Sequence, residues 1–309
     1  MLFCAGRGNR LRPISDRIAK PALPLLDVPV AAFGLHQLLT WSAPVIVNVS
    51  HLGDTVVGSL EATLGRAGAA WQVLQEPPEA YGTAGTLAAL ENVADTIIVY
   101  NGDLLSDIDV EALKQAHESS RAAATLVVRE VDRGADVIVE DDRVEAFIDR
   151  RAEPGAAGHM YLGVAALSRE VIASIPKKPP LGLGESVFAP LVTRRRVNVM
   201  HHRGYALDVG TPRRFVTASI DLLSGRGPLP PVPYTGRLVE VEGGRAYIGK
   251  GALAPMSALR HGAVVLSYAT VEEGADLKET VVWPWERVPA GAHMSSAVWF
   301  DGQRIPLGD

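Results

Sequence analysis

The chain has 309 residues, 47% of them hydrophobic and 21% charged, with a formal net charge of −5. That length suits one large α/β domain with a smaller second unit, and the acidic balance disfavours nucleic acid as a partner, so an anionic ligand has to be met by local positive charge. A single cysteine, Cys4, excludes an internal disulfide; no apolar run reaches a membrane span, and the opening MLFCAG is too short for a signal-peptide core, so a cytoplasmic protein with no membrane partner is expected.

The first feature along the chain is CAGRGNRLRPISDRIAKPALP, residues 4–24. Gly6 and Gly8 follow a short opening strand, but Asn9, Arg10 and Leu11 replace the third glycine and helix of a dinucleotide fold. Pro13 bars a helix, and no Gly-Lys-Ser/Thr ending of a P-loop follows. The composition instead suits an extended loop laid over an anion. The glycines allow close backbone approach, while Arg10, Arg12 and Lys20 supply guanidinium and ammonium donors for phosphate oxygens. A solvated basic surface loop is the alternative, and it leaves unexplained why the glycines sit at a strand end, where α/β folds bind ligands.

Pro29 suits the first turn of a helix over 30–42, and helices are also expected over 53–65 and 86–93. PVIVNVS (44–50), TIIVY (96–100) and AATLVVREV (123–131) read as buried strands. This alternation predicts an α/β, Rossmann-like fold: a mixed, mostly parallel sheet with helices on both faces. TPRRFVTASIDLLSG (211–225) predicts a helix capped by Thr211, with Val216, Ile220 and Leu223 along one face. Prolines 228, 230, 231 and 233 then form a semi-rigid linker, which divides the chain into 1–225, 226–236 and 237–309. In the last segment a rhythm of six appears at Ala263, Ala269 and Ala275 and at Val265, Val271, Leu277 and Trp283. It begins at Ala252 and Ala258 and slips before Ala263 and around Pro284. Hexads of this kind predict a short left-handed parallel β-helix of about three coils, with accidental spacing as the alternative.

Taken together, these motifs resemble the sugar-1-phosphate nucleotidyltransferases, whose signature is a strand, G-x-G-T-R-L-x-P-L-T and then K-P-x-L-P. Here GRGNRLRPIS spans 6–15 and KPALP spans 20–24, with Asn9 and Ser15 in place of threonines and a first strand a few residues shorter at its amino end. EPPEAYGTAGTL (76–87) resembles the family's nucleotide-contacting segment, and NGD (101–103) its strand-end metal aspartate. YLGVAALSREVI (161–172) resembles its sugar-contacting segment, and GYALDVGTP (204–212) its second metal motif, with Ala206 in place of tryptophan. The resemblance covers roughly residues 1–300.

It implies an enzyme in which a sugar 1-phosphate oxygen attacks the α-phosphorus of a nucleoside triphosphate and pyrophosphate leaves. The nucleophile is already an anion, so no general base is needed; positioning and cation clamps carry the catalysis. By resemblance, Arg10 and Lys20 are catalytic; Ala5, Gly6, Gly8, Gln75, Gly82 and Thr83 bind the nucleotide; Asp103 and Asp208 hold Mg²⁺; and Asp149, Arg150 and Gly163 bind the sugar phosphate. Taken singly, Asp103 and Asp208 also read as turn or capping residues. FIDRR (147–151) replaces the F-x-E-K-P of many members, keeping the charges of Asp149 and Arg150 but changing their reach, and Asp136 stands where many relatives carry glycine near the sugar. Trp71, His159, His201 and His202 are expected to be structural or surface residues.

GTP with mannose 1-phosphate is the leading substrate pair. Heptose, glucose, amino-sugar or muramic phosphates are alternatives within the same reaction class. Rivals from other classes are a non-catalytic regulatory subunit that binds sugar nucleotide and a tail with acyltransferase activity. The second is disfavoured by a tail offering only His261 and His293. A second copy of the chain, bound through the tail, is a further expected partner.

Overall fold

The computed structural model describes residues 1–40, 44–68, 70–177 and 180–307. Strand β1 (Leu2–Phe3) enters the arginine-rich loop, which returns through the hairpin β2 (Pro24–Leu25) and β3 (Val28–Pro29) into helix α1 (Val30–Leu39). Pro29 precedes that helix as its cap, and the expected positions Trp41 and Ser42 lie outside the described residues. Next come β4 (Val45–Val49), α2 (Gly53–Leu64), β5 (Trp71–Gln75), α3 (Gly82–Ala88), β6 (Thr96–Asn101), β7 (Leu104–Ser106) and α4 (Val110–Ser120). Helix α3 starts four residues before the expected 86, because Gly82 takes a φ of +72° that opens the turn.

The remaining strands and α-helices of the first 225 residues are β8 (Ala124–Val131), β9 (Val137–Glu140), β10 (Arg143–Phe147), β11 (Gly158–Ser168), α5 (Arg169–Ser174), α6 (Ala189–Thr193), β12 (Val197–His201), β13 (Ala206–Asp208) and α7 (Pro212–Leu223). Thr211 caps α7 as expected, its hydroxyl accepting from the Arg214 N–H at 3.2 Å.

Nine strands form one sheet in the order β5-β4-β1-β6-β11-β8-β12-β10-β9. The expectation of a mostly parallel sheet is corrected. β5–β4, β4–β1, β1–β6 and β8–β12 are parallel, while β6–β11, β11–β8, β12–β10 and β10–β9 are antiparallel. A strand buried on both faces is an unbroken apolar run in either direction, so the sequence of β11 carries no sign of its reversal. Leu2 and Tyr100 face one core and Phe3 and Val99 the other, following the two-residue period of the pleat. Helix α1 packs so closely over the first core that a Cβ on Gly34 would lie 2.8 Å from the Tyr100 ring.

His117 ties α4 to this sheet. Its ring nitrogens lie 2.9 Å from Thr125 Oγ1 and 3.1 Å from Ser168 Oγ, and burial lowers its pKa. A histidine kept neutral in the fold favours unfolding once the unfolded chain takes up a proton. Its contribution is therefore complete above the unfolded value of about 6.5 and is lost as pH falls through the lower folded value. The urea midpoint is expected to fall as pH drops from 7 to 5, and His117→Gln to flatten that dependence.

The tail contains β14 (Arg237–Val241), β15 (Gly244–Ile248), β16 (Val264–Val265), β17 (Thr270–Val271), β18 (Asp276–Val282), β19 (Arg287–Val288), β20 (His293–Phe300) and β21 (Gln303–Pro306). Tyr247, Val264, Val281 and Val298 stack in parallel register, as do Thr270 and Arg287. Antiparallel pairs β14–β15 and β20–β21 close the two ends. The spacing is not uniformly six. Small buried side chains fall at Ala258, Ala263, Ala269, Ala275 and Thr280, with steps of five where the rhythm slips. Val282, rather than Trp283, therefore follows Leu277 inside the tail's own core, and Trp283 turns to Phe215 of α7 at a ring distance of 6.0 Å.

The tail is joined to the rest by a shared core. Tyr247, Val264, Leu266, Val281, Val298 and Phe300 pack in the same cluster as Leu2 and Phe215. A polar clamp adds to it. Leu26 and Asp27, the two turn residues of the β2–β3 hairpin, both take positive φ, 49° and 66°. Asp27 accepts hydrogen bonds from the Ser267 N–H (2.9 Å), the Ser267 hydroxyl (2.7 Å) and the Tyr247 hydroxyl (2.9 Å). Among the described residues, no helix is long and apolar enough to cross a membrane.

Candidate active site

The loop after β1 is built from short turns. Gly8, at a φ of 61°, opens a 3₁₀ turn over Asn9–Leu11 that carries Arg10, and a later turn over Lys20–Ala22 carries Lys20. The Ala19 N–H just before Lys20 donates to Thr55 Oγ1 of α2, which anchors that side of the loop.

Asp103 arrives from the end of β6. The glycine before it is required there, since a Cβ on Gly102 would sit 2.5 Å from Cys4 Sγ and 2.9 Å from the Phe3 carbonyl. Asp208 arrives from β13, which pairs antiparallel with β7 so that Asp208 faces Leu104. The Val209 N–H also donates to the Asp103 carbonyl at 2.9 Å. A two-stranded ribbon thus brings together two carboxylates far apart in sequence.

Lys20 Nζ donates to both of them, to Asp103 Oδ2 and to Asp208 Oδ1 at 2.8 Å. Arg214 Nη1 lies 3.1 Å from Asp208 Oδ2, and Arg10 Nη2 lies 3.7 Å from it. The Lys20 side chain is 12% exposed and that of Arg10 66%, so the ammonium is the buried member and the guanidinium the solvent-facing one. Gly210 leaves room for the cluster, because a Cβ there would come within 2.9 Å of both Arg10 Nη2 and Lys20 Nζ.

Two cavities meet at this cluster and share Arg10, Lys20 and Asp103. The first, of about 300 Å³, runs along Ala5, Gly6 and Gly8. The second, of about 500 Å³, runs along Asp208, Arg214, Arg150 and Gly163. Cys4 borders the first cavity, but burial and the nearby Asp103 hold its thiol far above the usual range, so it is a neutral packing residue. Gly163 lies where β11 breaks register with β8, at a φ of +79°, and a side chain there would collide with Asn101.

Four expected site residues line neither cavity. Gln75 donates from Nε2 to its neighbour's carbonyl, and Asp149 accepts the Arg151 N–H at 2.9 Å within its own turn. Gly82 and Thr83 pack against the chain at 181–183: a Cβ on Gly82 would lie 2.5 Å from the Leu181 carbonyl, and Thr83 Oγ1 accepts the Leu183 N–H at 3.0 Å. Trp71 is buried, while His159 stacks edge-on against His201 at 5.1 Å, and neither histidine lines either of the two cavities.

A sequence profile of the nucleotidyl transferase family matches residues 1–225. The chain belongs to the nucleotidyl transferase family. A mannose-1-phosphate guanylyltransferase from Mycobacterium tuberculosis is 30% identical over 328 aligned residues, covering the whole of this chain and 81% of that protein. A UTP–glucose-1-phosphate uridylyltransferase from Synechocystis is 25% identical, over 92% of this chain and 86% of that one. Among solved structures, HddC from Yersinia pseudotuberculosis superposes with a TM-score of 0.58 at 22% identity, over 72% of this chain and 97% of its own; that likeness concerns the fold.

Three features of this nucleotidyltransferase escaped the motifs. Arg214 follows the GTP of the second aspartate motif, and only the start of α7 turns it back onto Asp208. Gly210 lies within that motif but has no signal of its own. Glu76 is buried, accepting from Asn48 Nδ2 (2.7 Å), Thr86 Oγ1 (2.6 Å) and the Tyr81 N–H (2.7 Å), while Asn48 Oδ1 accepts the Cys4 N–H at 2.9 Å. The network links the root of the glycine loop to α3.

No group of three His, Cys, Asp or Glu side chains converges among the described residues. Two carboxylates that meet on one ammonium are nonetheless a donor set suited to Mg²⁺, which keeps several waters and takes one or two protein carboxylates.

Proposed function

We propose that this nucleotidyltransferase joins a sugar 1-phosphate to a nucleoside triphosphate, with mannose 1-phosphate and GTP as the leading pair. The observation that carries the reading is the Lys20 ammonium set between Asp103 and Asp208 where two cavities meet. One cavity, with its close glycine backbone, suits the nucleotide; the other, with Arg150 and Arg214, suits an anionic sugar. The whole-length relative named for mannose 1-phosphate supports the substrate pair.

Two polyanions have to be held in contact while negative charge builds on the α-phosphate and the leaving pyrophosphate. Arg10 and Lys20 offset that charge from the loop side, and Arg214 does so from α7. Asp103 and Asp208 would hold Mg²⁺, which supplies electrostatic stabilisation of the phosphates. No side chain has to remove a proton, because the sugar phosphate enters as an anion.

Four nucleoside triphosphates tested against mannose, glucose, heptose and amino-sugar 1-phosphates, scored by pyrophosphate release, decide the matter. Turnover is expected to be highest with GTP and mannose 1-phosphate. Asp103→Asn and Asp208→Asn are each expected to lower it by at least about tenfold, the loss of one charge-assisted contact to the reacting groups. A protein that binds sugar nucleotide but turns over no pair is a regulatory subunit.

The stacked parallel rungs support reading the tail as a left-handed parallel β-helix. Exposed Leu253, Met256, Tyr268 and Trp285 support its use as a contact between copies of the chain, which light scattering would detect as a dimer.

A further inference from the structure

Asp136 is a carboxylate in a place where its charge needs a reason. Its backbone is held from two sides, the N–H donating to the His159 carbonyl at 2.9 Å and the carbonyl accepting from the Ile148 N–H at 3.0 Å. Its side chain is 23% exposed, and burial raises its pKa against the opposing effects of the Tyr161 N–H and Arg150. Oδ1 is fixed by the Tyr161 N–H at 2.7 Å, at the point where β11 breaks register with β8. Oδ2 lies 3.4 Å from Nη1 of Arg150, whose Nη2 lies 3.5 Å from Met160 Sδ.

Arg150 borders the larger cavity together with Gly163, Arg214 and Asp208. Its side chain is 47% exposed, on a turn with no helix or strand to stiffen it. A long guanidinium side chain held at only one end loses affinity through the entropy of ordering it on each binding event. Anchoring one edge in advance removes part of that cost and leaves the remaining N–H donors for an anion.

We infer that Asp136 is a positioning residue: it holds the Arg150 guanidinium at the wall of the second cavity in readiness for the phosphate of the sugar substrate. This rests on the sugar-phosphate reading of that cavity. It assigns Asp136 the task of orienting a cation that binds substrate.

Asp136→Asn tests it, because the amide keeps the shape and the Oδ1 acceptor for Tyr161 while removing the charge facing Arg150. The KM for the sugar 1-phosphate is expected to rise about tenfold, the scale of one charge-assisted hydrogen bond, with kcat and the KM for the nucleotide within about twofold of the parent. An unchanged KM for the sugar phosphate overturns the inference. So does a lowered one, which would make Asp136 a simple brake on the cavity's positive charge.

A second measurement does not depend on turnover. The Arg150 Nε–H resonance, assigned by its loss in Arg150→Lys, is expected to be sharp and distinct in the ligand-free parent and averaged toward solvent-exposed arginines in Asp136→Asn. If the parent turns over no sugar phosphate yet the resonance still collapses in the variant, the substrate reading fails and the anchoring stands. An unaltered resonance ends the anchoring itself.

Discussion

Lys20→Met is expected to lower kcat by about 10²- to 10³-fold, the range found for removing one preorganised donor from a charge-stabilising site. Among the described residues, the ammonium is the one cation that contacts both Asp103 and Asp208, and it is more buried than Arg10 or Arg214. Methionine keeps the length and apolar stem but removes the donor that bridges the two carboxylates and the positive charge at the meeting of the two cavities. The KM values are expected to change less than kcat, because the outer guanidiniums of Arg10 and Arg214 remain to collect the anions. Lys20→Arg is not expected to restore activity. A planar fork cannot replace a compact ammonium between two oxygens. Pyrophosphate release in single-turnover mixing measures the chemical step, and a loss smaller than about threefold would remove Lys20 from the catalytic machinery.

Asp27→Ala is expected to destabilise the protein by about 3 kcal/mol, from three hydrogen bonds to one carboxylate and the donors left unpaired when it goes. Two further facts set the direction. Leu26 and Asp27 occupy left-handed backbone that side-chain-bearing residues take only when the surroundings insist, and Leu26 is completely buried. The Ser267 N–H and hydroxyl and the Tyr247 hydroxyl, which belong to the tail, are what insist. Ser267→Ala removes one of the three bonds and is expected to cost about 1 kcal/mol. Urea unfolding followed by tryptophan fluorescence measures both, and Asp27→Ala within about 0.5 kcal/mol of the parent would show that the apolar contacts of Tyr247 and Phe300 hold the tail unaided.

The opening loop was the most legible part of the site. Its glycines and cations predict a close anionic ligand from local composition alone, and Ala5, Gly6, Gly8, Arg10 and Lys20 border one cavity. NGD and DVGTP were legible as strand-end carboxylates, and a ribbon of two short strands joins them. Gln75 and Asp149 were less legible. A polar side chain can bond to neighbouring backbone as easily as it can reach a ligand, and here both do so. The six-residue rhythm of the tail was visible, and so was the slip before Ala263, but the step of five from Ala275 to Thr280 was not, since a shortened side changes which residue faces inward without changing composition.

Local chemistry, written in the order of residues, determined the alternation of strands and helices, the loop rich in glycine and arginine and the small-residue rhythm after 237. Tertiary structure decided the rest: the reversed β11 in the middle of the sheet, the meeting of Lys20 with two aspartates, Arg214 turned back upon one of them, and the hold of Ser267 and Tyr247 on the hairpin after Lys20. The reason is range. Propensity, capping and periodicity act within a few residues, whereas strand direction and charge clustering depend on which distant segments share a core, and only the packed chain specifies that.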